Sequence, residues 1–187
     1  MMCVKNNLEE YPQRRLDAEA RHFDRALAKE AKKGSALYGV FALRKEVCMM
    51  DEKELLKLAL TARERAYVPY SGFAVGAALL CADGKIYLGC NIENAAYTPS
   101  NCAERTAFFK AVSEGERDFA AIAIVGGKQG EPPHALCPPC GVCRQVMMEF
   151  CDPATFRVIL GKNLQEYETY TLKQILPMGF GPGNLKA

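Results

Sequence analysis

Cys102-Ala103-Glu104 and, further along the chain, Pro139-Cys140-Gly141-Val142-Cys143 are the two stretches that decide the fold and the chemistry of this protein. Three cysteines can give three thiolates to one Zn²⁺ and leave its fourth tetrahedral position open, as in a catalytic rather than a structural zinc site. A glutamate beside the metal can take a proton from water and pass it on, which a structural site does not need. The two stretches therefore predict a hydrolytic zinc site.

Each stretch is predicted to begin a helix. The first helix runs from Cys102 to about Glu114, and the second from about Cys140 to Phe150. If Pro139 starts the second helix, its two cysteines lie on the same face of the first turn and can bind one metal together. A helix N-terminus also lowers the pKa of a thiol and so favours the thiolate. Because Glu104 is two residues from Cys102, we expect it beside the metal rather than bound to it.

The remaining apolar runs predict strands. The two runs before the first stretch are separated by Asp83-Gly84, which predicts a β-hairpin. Two further strands each follow one of the helices, and a fifth comes near the C-terminus. Strand and helix alternate, which predicts right-handed crossovers and a mixed sheet that begins with an antiparallel hairpin. The five predicted strands are Phe73 to Cys81, Ile86 to Asn91, Phe119 to Val125, Phe156 to Leu160 and Thr169 to Leu172.

Two arginines follow the metal-binding stretches directly. Three thiolates on Zn²⁺ leave a net negative centre, which weakens the ability of the metal to acidify water. Arg105 and Arg144 are placed to donate hydrogen bonds to the sulfurs and offset that charge. The alternative, that both are surface arginines at helix starts, stays open.

Cys137 makes a second Cys-x-x-Cys pattern with Cys140. Four cysteines would give a closed zinc site with no position for water. The Pro138-Pro139 pair restricts the backbone at this point, which favours the site with three cysteines. The role of Cys137 stays open.

Composition limits the classes of function. The chain has 187 residues, a formal net charge of +2 and nine cysteines. It lacks the clusters of basic residues typical of nucleic-acid binding, and it lacks an apolar run long enough to span a membrane. An odd number of cysteines without a secretory signal indicates metal binding in a reducing compartment, and we expect a cytoplasmic protein.

Residues 1–48 differ from the rest of the chain. Leu16, Ala20, Phe23 and Leu27 recur at helical spacing in a strongly charged background, which predicts an amphipathic helix from Gln13 to Lys33. We therefore divide the chain into an N-terminal extension, residues 1–48, and a catalytic domain, residues 49–187. Two interpretations of the extension stay open: the natural start is at Met49 or Met50, or the helix packs on the body or on a neighbouring subunit.

Further motifs complete a resemblance to a known family. Pro69-Tyr70-Ser71-Gly72-Phe73, Asn91-Ile92-Glu93-Asn94-Ala95 and Ile175-Leu176-Pro177, taken with the two cysteine stretches, resemble the homotetrameric zinc-dependent cytidine deaminases. The resemblance covers roughly Asp51 to the C-terminus. It implies a three-layer α-β-α fold with a five-stranded mixed sheet, a bound Zn²⁺ and a homotetramer whose pockets are shared between subunits.

The resemblance also implies a role for individual residues. The metal ligands would be Cys102, Cys140 and Cys143, and the proton carrier would be Glu104. Asn91 and Glu93 would hold the sugar, and Ala103 would contact the substrate. The base would stack on Phe73, and the aromatics that close a site from neighbouring subunits would be Tyr97 and Phe180.

The predicted function is hydrolytic deamination of cytidine and deoxycytidine in pyrimidine salvage. The partner is then a small nucleoside, with no nucleic acid and no membrane. One alternative keeps the chemistry and changes the substrate to another aminopyrimidine nucleoside, such as a nucleoside antibiotic. A second alternative is a structural zinc module without enzymatic activity. Editing of nucleic acid would need a basic groove and aromatic platforms, which the sequence does not show.

Overall fold

A computed structural model of the protein describes residues 50–185. The predicted helix from Gln13 to Lys33, and the extension to which it belongs, lie outside these residues. The five strands are β1 (Phe73–Cys81), β2 (Ile86–Cys90), β3 (Phe119–Lys128), β4 (Arg157–Gly161) and β5 (Tyr167–Thr171). The helices are α1 (Glu52–Arg63), α2 (Ala103–Ser113), α3 (Gly141–Phe150) and the short α4 (Leu172–Ile175), followed by a 3₁₀ turn (Pro182–Asn184).

The strands form one mixed sheet in the order β2-β1-β3-β4-β5. Only β3 and β4 run parallel to each other, with Ala123 opposite Ile159, and the other three pairs are antiparallel. The parallel pair is joined by a crossover that contains α3, as a parallel connection requires. The predicted mixed sheet that starts with an antiparallel hairpin is confirmed.

Helices cover both faces of the sheet. Successive residues of a strand point to opposite faces, so Leu79 packs with α2 and α3, whereas Leu80 packs with α1. On β3, Ile122 and Ile124 face the first layer and Ala123 the second. The central strands are buried on both sides, which explains their continuous apolar sequences. The three-layer α-β-α arrangement is therefore confirmed.

Two glycines allow the helices to approach the sheet closely. A Cβ atom at Gly76 would lie 2.0 Å from the carbonyl oxygen of Ala59 on α1. At Gly89 it would lie 2.2 Å from the carbonyl oxygen of Ala103, the first residue of α2. Glycine is required where two backbones come so close. Gly89 thus sets the N-terminus of α2, and with it one of the metal-binding stretches, directly against β2.

Some element boundaries differ from prediction. The second metal-binding helix begins at Gly141 with Cys140 as its N-cap, so Pro139 lies before the helix rather than in it. β3 continues past Val125 to Lys128 because its pairing with β1 continues as far as Phe73. The fifth strand ends at Thr171, whose side chain caps α4. No helix between residues 50 and 185 is long and apolar enough to cross a membrane.

Candidate metal centre and active site

Three cysteine sulfurs come together where α2 and α3 begin. The sulfurs of Cys102 and Cys140 are 3.9 Å apart, those of Cys140 and Cys143 are 3.5 Å apart, and all three lie within 4.8 Å of one another. In a tetrahedral zinc site with Zn–S bonds of about 2.3 Å, two sulfurs lie about 3.8 Å apart. The observed donor set therefore fits Zn²⁺.

Both helix N-termini point at this cluster. Cys102 and Cys140 are the N-caps of α2 and α3, and neither side chain makes a capping hydrogen bond. The unpaired amides of the first turns and the helix dipoles favour negative charge at the sulfurs. A hydrogen bond from the Cys143 thiol lowers the pKa of Cys102 to about 5, although burial opposes this change. The same contact and burial raise the pKa of Cys143. Cys102 is thus the first of the pair to ionise.

The two arginines beside the cluster make different contacts. The Nη2 atom of Arg105 lies 3.7 Å from the sulfur of Cys102 and 3.3 Å from the carbonyl oxygen of Ser100, as expected for a residue that offsets thiolate charge. Arg144 departs from the prediction. Its Nε and Nη1 atoms donate to the carbonyl oxygens of Pro139 and Ile175 rather than to a sulfur, because the guanidinium lies along the backbone that precedes Cys140.

Glu104 lies beside the metal cluster on the first turn of α2. Its side chain is 4% exposed, and it is the one buried charged residue of the described chain. Burial raises the pKa of its carboxyl group, and the charge of Cys102 adds to this effect. A carboxylate with a raised pKa is a stronger proton acceptor than an exposed one, which suits a general base. The environment of Glu104 is thus suited to proton transfer.

Cys137 stands apart from the three sulfurs. It lines the same cavity as Cys102 and Cys140, but its sulfur is not in the group that lies within 4.8 Å. It packs against Gly126, where a Cβ atom would lie 2.6 Å from the sulfur. Burial raises the pKa of Cys137 to about 11, and the charges of Glu104 and Cys102 contribute. The geometry favours three cysteine ligands rather than four.

A cavity of about 550 Å³ opens onto the metal cluster. This volume is in the range typical of sites for small molecules. Metal-binding, acidic and aromatic side chains share its wall. The residues that line it are Tyr70, Ser71, Val75, Asn91, Glu93, Tyr97, Ser100, Asn101, Cys102, Ala103, Glu104, Cys137, Pro138 and Cys140.

Asn91 and Glu93 both reach the cavity, just beyond the end of β2. The side-chain amide of Asn91 donates to the carbonyl oxygen of Phe73 at 2.9 Å and accepts from the backbone N–H of Val75 at 2.8 Å. One donor and one acceptor position remain for a ligand. Glu93 accepts from the backbone N–H groups of Tyr70 at 2.9 Å and Ser71 at 3.2 Å. Hydrogen bonds from Ser71 and Tyr70 lower the pKa of Glu93.

The predicted aromatic contacts divide into two groups. Tyr97 lines the cavity, and its ring makes an edge contact with Tyr70 at 6.1 Å between centroids. Phe73 and Phe180 are not among the residues that line the cavity of this single chain. Phe73, 44% exposed, is two residues before Val75 on β1 and so shares its face. Phe180 is 58% exposed, and its carbonyl oxygen accepts from Gln145 on α3 at 2.8 Å.

Several residues that line the cavity were not predicted as site residues. Tyr70 and Ser71 belong to the Pro69–Phe73 motif, which signalled them without indicating their position. Ser100 and Asn101 precede Cys102, and an isolated bridge between Ile92 and Asn101 brings them beside the Asn91–Glu93 segment. That pairing joins two irregular segments, so no periodicity in the sequence reveals it.

A second group of possible ligands contains Cys81, Asp83 and Glu116. Lys85 already lies among these groups, with its ammonium nitrogen 2.6 Å from Glu116 and 3.1 Å from Asp83. The lysine therefore supplies the positive charge that the two carboxylates would otherwise require. The metal centre is best assigned to the cysteine cluster at the two helix N-termini.

Comparison with known proteins agrees with this geometry. Residues 49–159, more than half of the chain, match the cytidine and deoxycytidylate deaminase zinc-binding region. The chain belongs to this family. Zinc is accordingly the metal expected at the three cysteines of the family region.

Three relatives match the chain over nearly all of their own length. It is 51% identical to a cytidine deaminase of Sporosarcina psychrophila over 136 residues, which are 73% of this chain and 96% of the relative. It is 53% identical to a cytidine deaminase of Halalkalibacterium halodurans over 131 residues, 70% of this chain and 95% of that one. Among solved structures, cytidine deaminase from Burkholderia pseudomallei superposes with a TM-score of 0.63 at 48% identity, covering 70% of this chain and all of that chain.

Proposed function

We propose that this chain deaminates cytidine and deoxycytidine hydrolytically, releasing ammonia and leaving uridine or deoxyuridine. The observation that carries the proposal is a buried glutamate, Glu104, beside three convergent cysteine sulfurs at the wall of one cavity. Relatives that are at least half identical to the chain are cytidine deaminases, which supports the same substrate here.

The metal would be held by Cys102, Cys140 and Cys143. Bound zinc would supply the Lewis acidity that makes water nucleophilic at neutral pH. Glu104 takes a proton from that water while the oxygen forms a bond to C4 of the pyrimidine. The same carboxyl group delivers this proton to N3, then takes the remaining proton from the new hydroxyl group on C4 and passes it to the amino nitrogen. The bond between C4 and the amino nitrogen breaks, and ammonia leaves.

Other residues of the cavity orient the nucleoside. Asn91 retains one donor and one acceptor, and Glu93 retains acceptor capacity, so together they can bind the hydroxyl groups of a sugar. Ala103 lines the cavity at the first position of α2, where a backbone N–H has no acceptor within the helix. These contacts favour a free nucleoside over a polymer.

A homotetramer would complete the pocket. Large apolar side chains stay exposed in the described part of the single chain, among them Tyr70 and Tyr97, which line the cavity, and Tyr67, Phe73 and Ile92. Exposed apolar patches of this kind mark protein interfaces. In such an assembly Phe73 would stack on the base, and Tyr97 and Phe180 would close pockets of neighbouring subunits. Light scattering of the purified protein measures the mass of the assembly directly.

The cellular setting is also a proposal. We infer a cytoplasmic enzyme of pyrimidine salvage, in which residues 49–187 form the catalytic domain. The support is that the cysteines of the described region are all free, as expected in a reducing compartment.

A panel of substrates tests the function. Purified protein would be incubated with cytidine, deoxycytidine, cytosine, cytidine monophosphate and single-stranded DNA, with ammonia and bound zinc measured together. Turnover of the two nucleosides is expected. Turnover of the polymer alone would contradict the proposal, and stoichiometric zinc without any ammonia would favour a structural zinc module. Activity confined to another aminopyrimidine nucleoside would keep the chemistry and change the substrate.

A further inference from the structure

The segment that carries Cys140 has almost no regular structure of its own. We call residues 129–140 the metal loop, which runs from the end of β3 to the start of α3. Its backbone is tied at Gln129, which donates to Gly72, and at Glu131, which donates to Lys128. Within the described chain, residues 132–139 make no hydrogen bond to another backbone group. Yet this loop supplies one metal ligand and two further residues of the cavity wall.

Side chains replace the missing backbone contacts at the start of the metal loop. Arg63, the last residue of α1, donates through Nη2 to the carbonyl oxygens of Lys128 at 2.6 Å and Glu131 at 3.0 Å. Its Nε atom donates to the carbonyl oxygen of Ala74 on β1 at 3.0 Å. One guanidinium therefore fastens the start of the loop to both α1 and β1.

A second arginine fastens the other end. The Nε atom of Arg144 donates to the carbonyl oxygen of Pro139 at 2.8 Å, and its Nη1 atom donates to that of Ile175 at 2.6 Å. The backbone N–H of Arg144 also donates to the carbonyl oxygen of Cys140 at 3.0 Å. The carbonyl groups before and after the Cα of Cys140 are thus held by one residue, which also joins them to the C-terminal segment.

Between the two ends the loop is held by close packing. A Cβ atom at Gly126 would lie 2.6 Å from the sulfur of Cys137, and one at Gly127 would lie 3.1 Å from the Cα of Pro133. The middle of the loop therefore rests against glycines of β3, while its ends depend on the two arginines.

We propose that Arg63 and Arg144 are positioning residues for the metal centre, which act by holding the metal loop so that Cys140 stands at zinc-binding distance from the other two sulfurs. Neither arginine touches the substrate or the sulfurs. This inference rests on the proposed function only in taking zinc as the occupant of the cysteine cluster. Groups that orient a metal ligand typically change metal affinity about 10-fold to 100-fold when they are removed.

The test uses the whole chain and compares Arg144→Gln and Arg63→Lys with Arg117→Gln. A lysine at position 63 keeps the charge but cannot reach three carbonyl oxygens at once. Arg117, on the connection between α2 and β3, is the matched control. Its Nη1 atom also donates to two backbone carbonyl oxygens, those of Val112 and Glu116, each at 2.7 Å.

Two quantities would be measured without substrate: the rate of zinc release to excess chelator, and the melting temperature of the zinc-loaded and zinc-free proteins. We expect both loop variants to release zinc about 10-fold faster than the unmodified chain. The rise in melting temperature on zinc loading should also shrink. Arg117→Gln should match the unmodified protein in both respects.

An unchanged release rate in both loop variants would overturn the inference. So would an equal loss of melting temperature in the zinc-loaded and zinc-free forms, since that result describes a structural role unrelated to the metal. If one variant fails to fold, the rate of zinc release from the other variant still tests the inference, because the two arginines hold opposite ends of the metal loop. Should the unmodified chain hold zinc but not deaminate cytidine, the proposed function would fail while this comparison would remain valid.

Discussion

The Nη2 atom of Arg105 lies 3.7 Å from the sulfur of Cys102. Through this contact the guanidinium of Arg105 offsets part of the negative charge that three thiolates would carry. Replacement by glutamine should therefore leave a more negative metal centre that is less able to activate water. We expect Arg105→Gln to bind zinc but to deaminate cytidine about 10-fold more slowly. Steady-state kinetics with zinc analysis checks this, and Arg105→Lys should recover part of the rate.

Cys137 should be dispensable for metal binding. Its sulfur is outside the group of three that lie within 4.8 Å of one another, and burial favours its protonated form. Cys137→Ala is expected to retain one zinc per chain, which atomic absorption measures. Cys140→Ala is the matched control and should lose the metal. Loss of zinc from Cys137→Ala would instead indicate a site with four cysteines.

Glu93 should act in binding rather than in the chemical step. Its carboxylate accepts hydrogen bonds from the N–H groups of Tyr70 and Ser71, and Glu93 lines the cavity in which we propose that the sugar binds. A hydrogen bond to a charged group contributes enough that Glu93→Gln should raise KM for cytidine about 10-fold. Zinc content should not change. Glu149→Gln, at an exposed position on α3, should leave KM as it is.

Gly76 should be essential for the packing of α1 on the sheet. A Cβ atom there would lie 2.0 Å from the carbonyl oxygen of Ala59 and 2.4 Å from the backbone nitrogen of Arg63, and neither backbone atom can move freely. Gly76→Ala should lower the free energy of unfolding by about 3 kcal/mol. Gly183→Ala, where nothing lies within 4 Å of the added atom, is the control. Chemical denaturation of both variants would measure the difference, and equal stability would show that α1 can shift without cost.

Local sequence patterns predicted the order and type of the main strands and helices. The turn at Asp83-Gly84, the apolar run of β1 and the cysteines that begin α2 and α3 each depend on residues close together in the chain. The distinction between the two faces of β1 was not readable, because a strand buried on both sides shows no alternation of apolar and polar residues. The need for glycine at positions 76 and 89 was likewise not predictable, because it depends on which helix packs against each position.

The sequence indicated those residues of the candidate site whose side-chain type and spacing are typical of metal binding or proton transfer. The three cysteines and Glu104 belong to such local motifs. Contacts between residues far apart in the sequence leave no comparable pattern. Arg63 is far from the metal loop in sequence, and its three acceptors are carbonyl groups, which carry no signature of residue type. Arg144 illustrates the same limit, since adjacency to a ligand suggested a contact with sulfur while the side chain follows the backbone.

The most direct test compares the unmodified chain with Glu104→Gln. Both proteins would be loaded with zinc, and release of ammonia and uridine from cytidine would be followed while bound zinc is counted. The unmodified protein should deaminate cytidine, and the variant should keep one zinc per chain while its rate falls at least about 100-fold. Equal rates in the two proteins, with zinc bound in both, would contradict the assignment of Glu104 as the residue that moves protons.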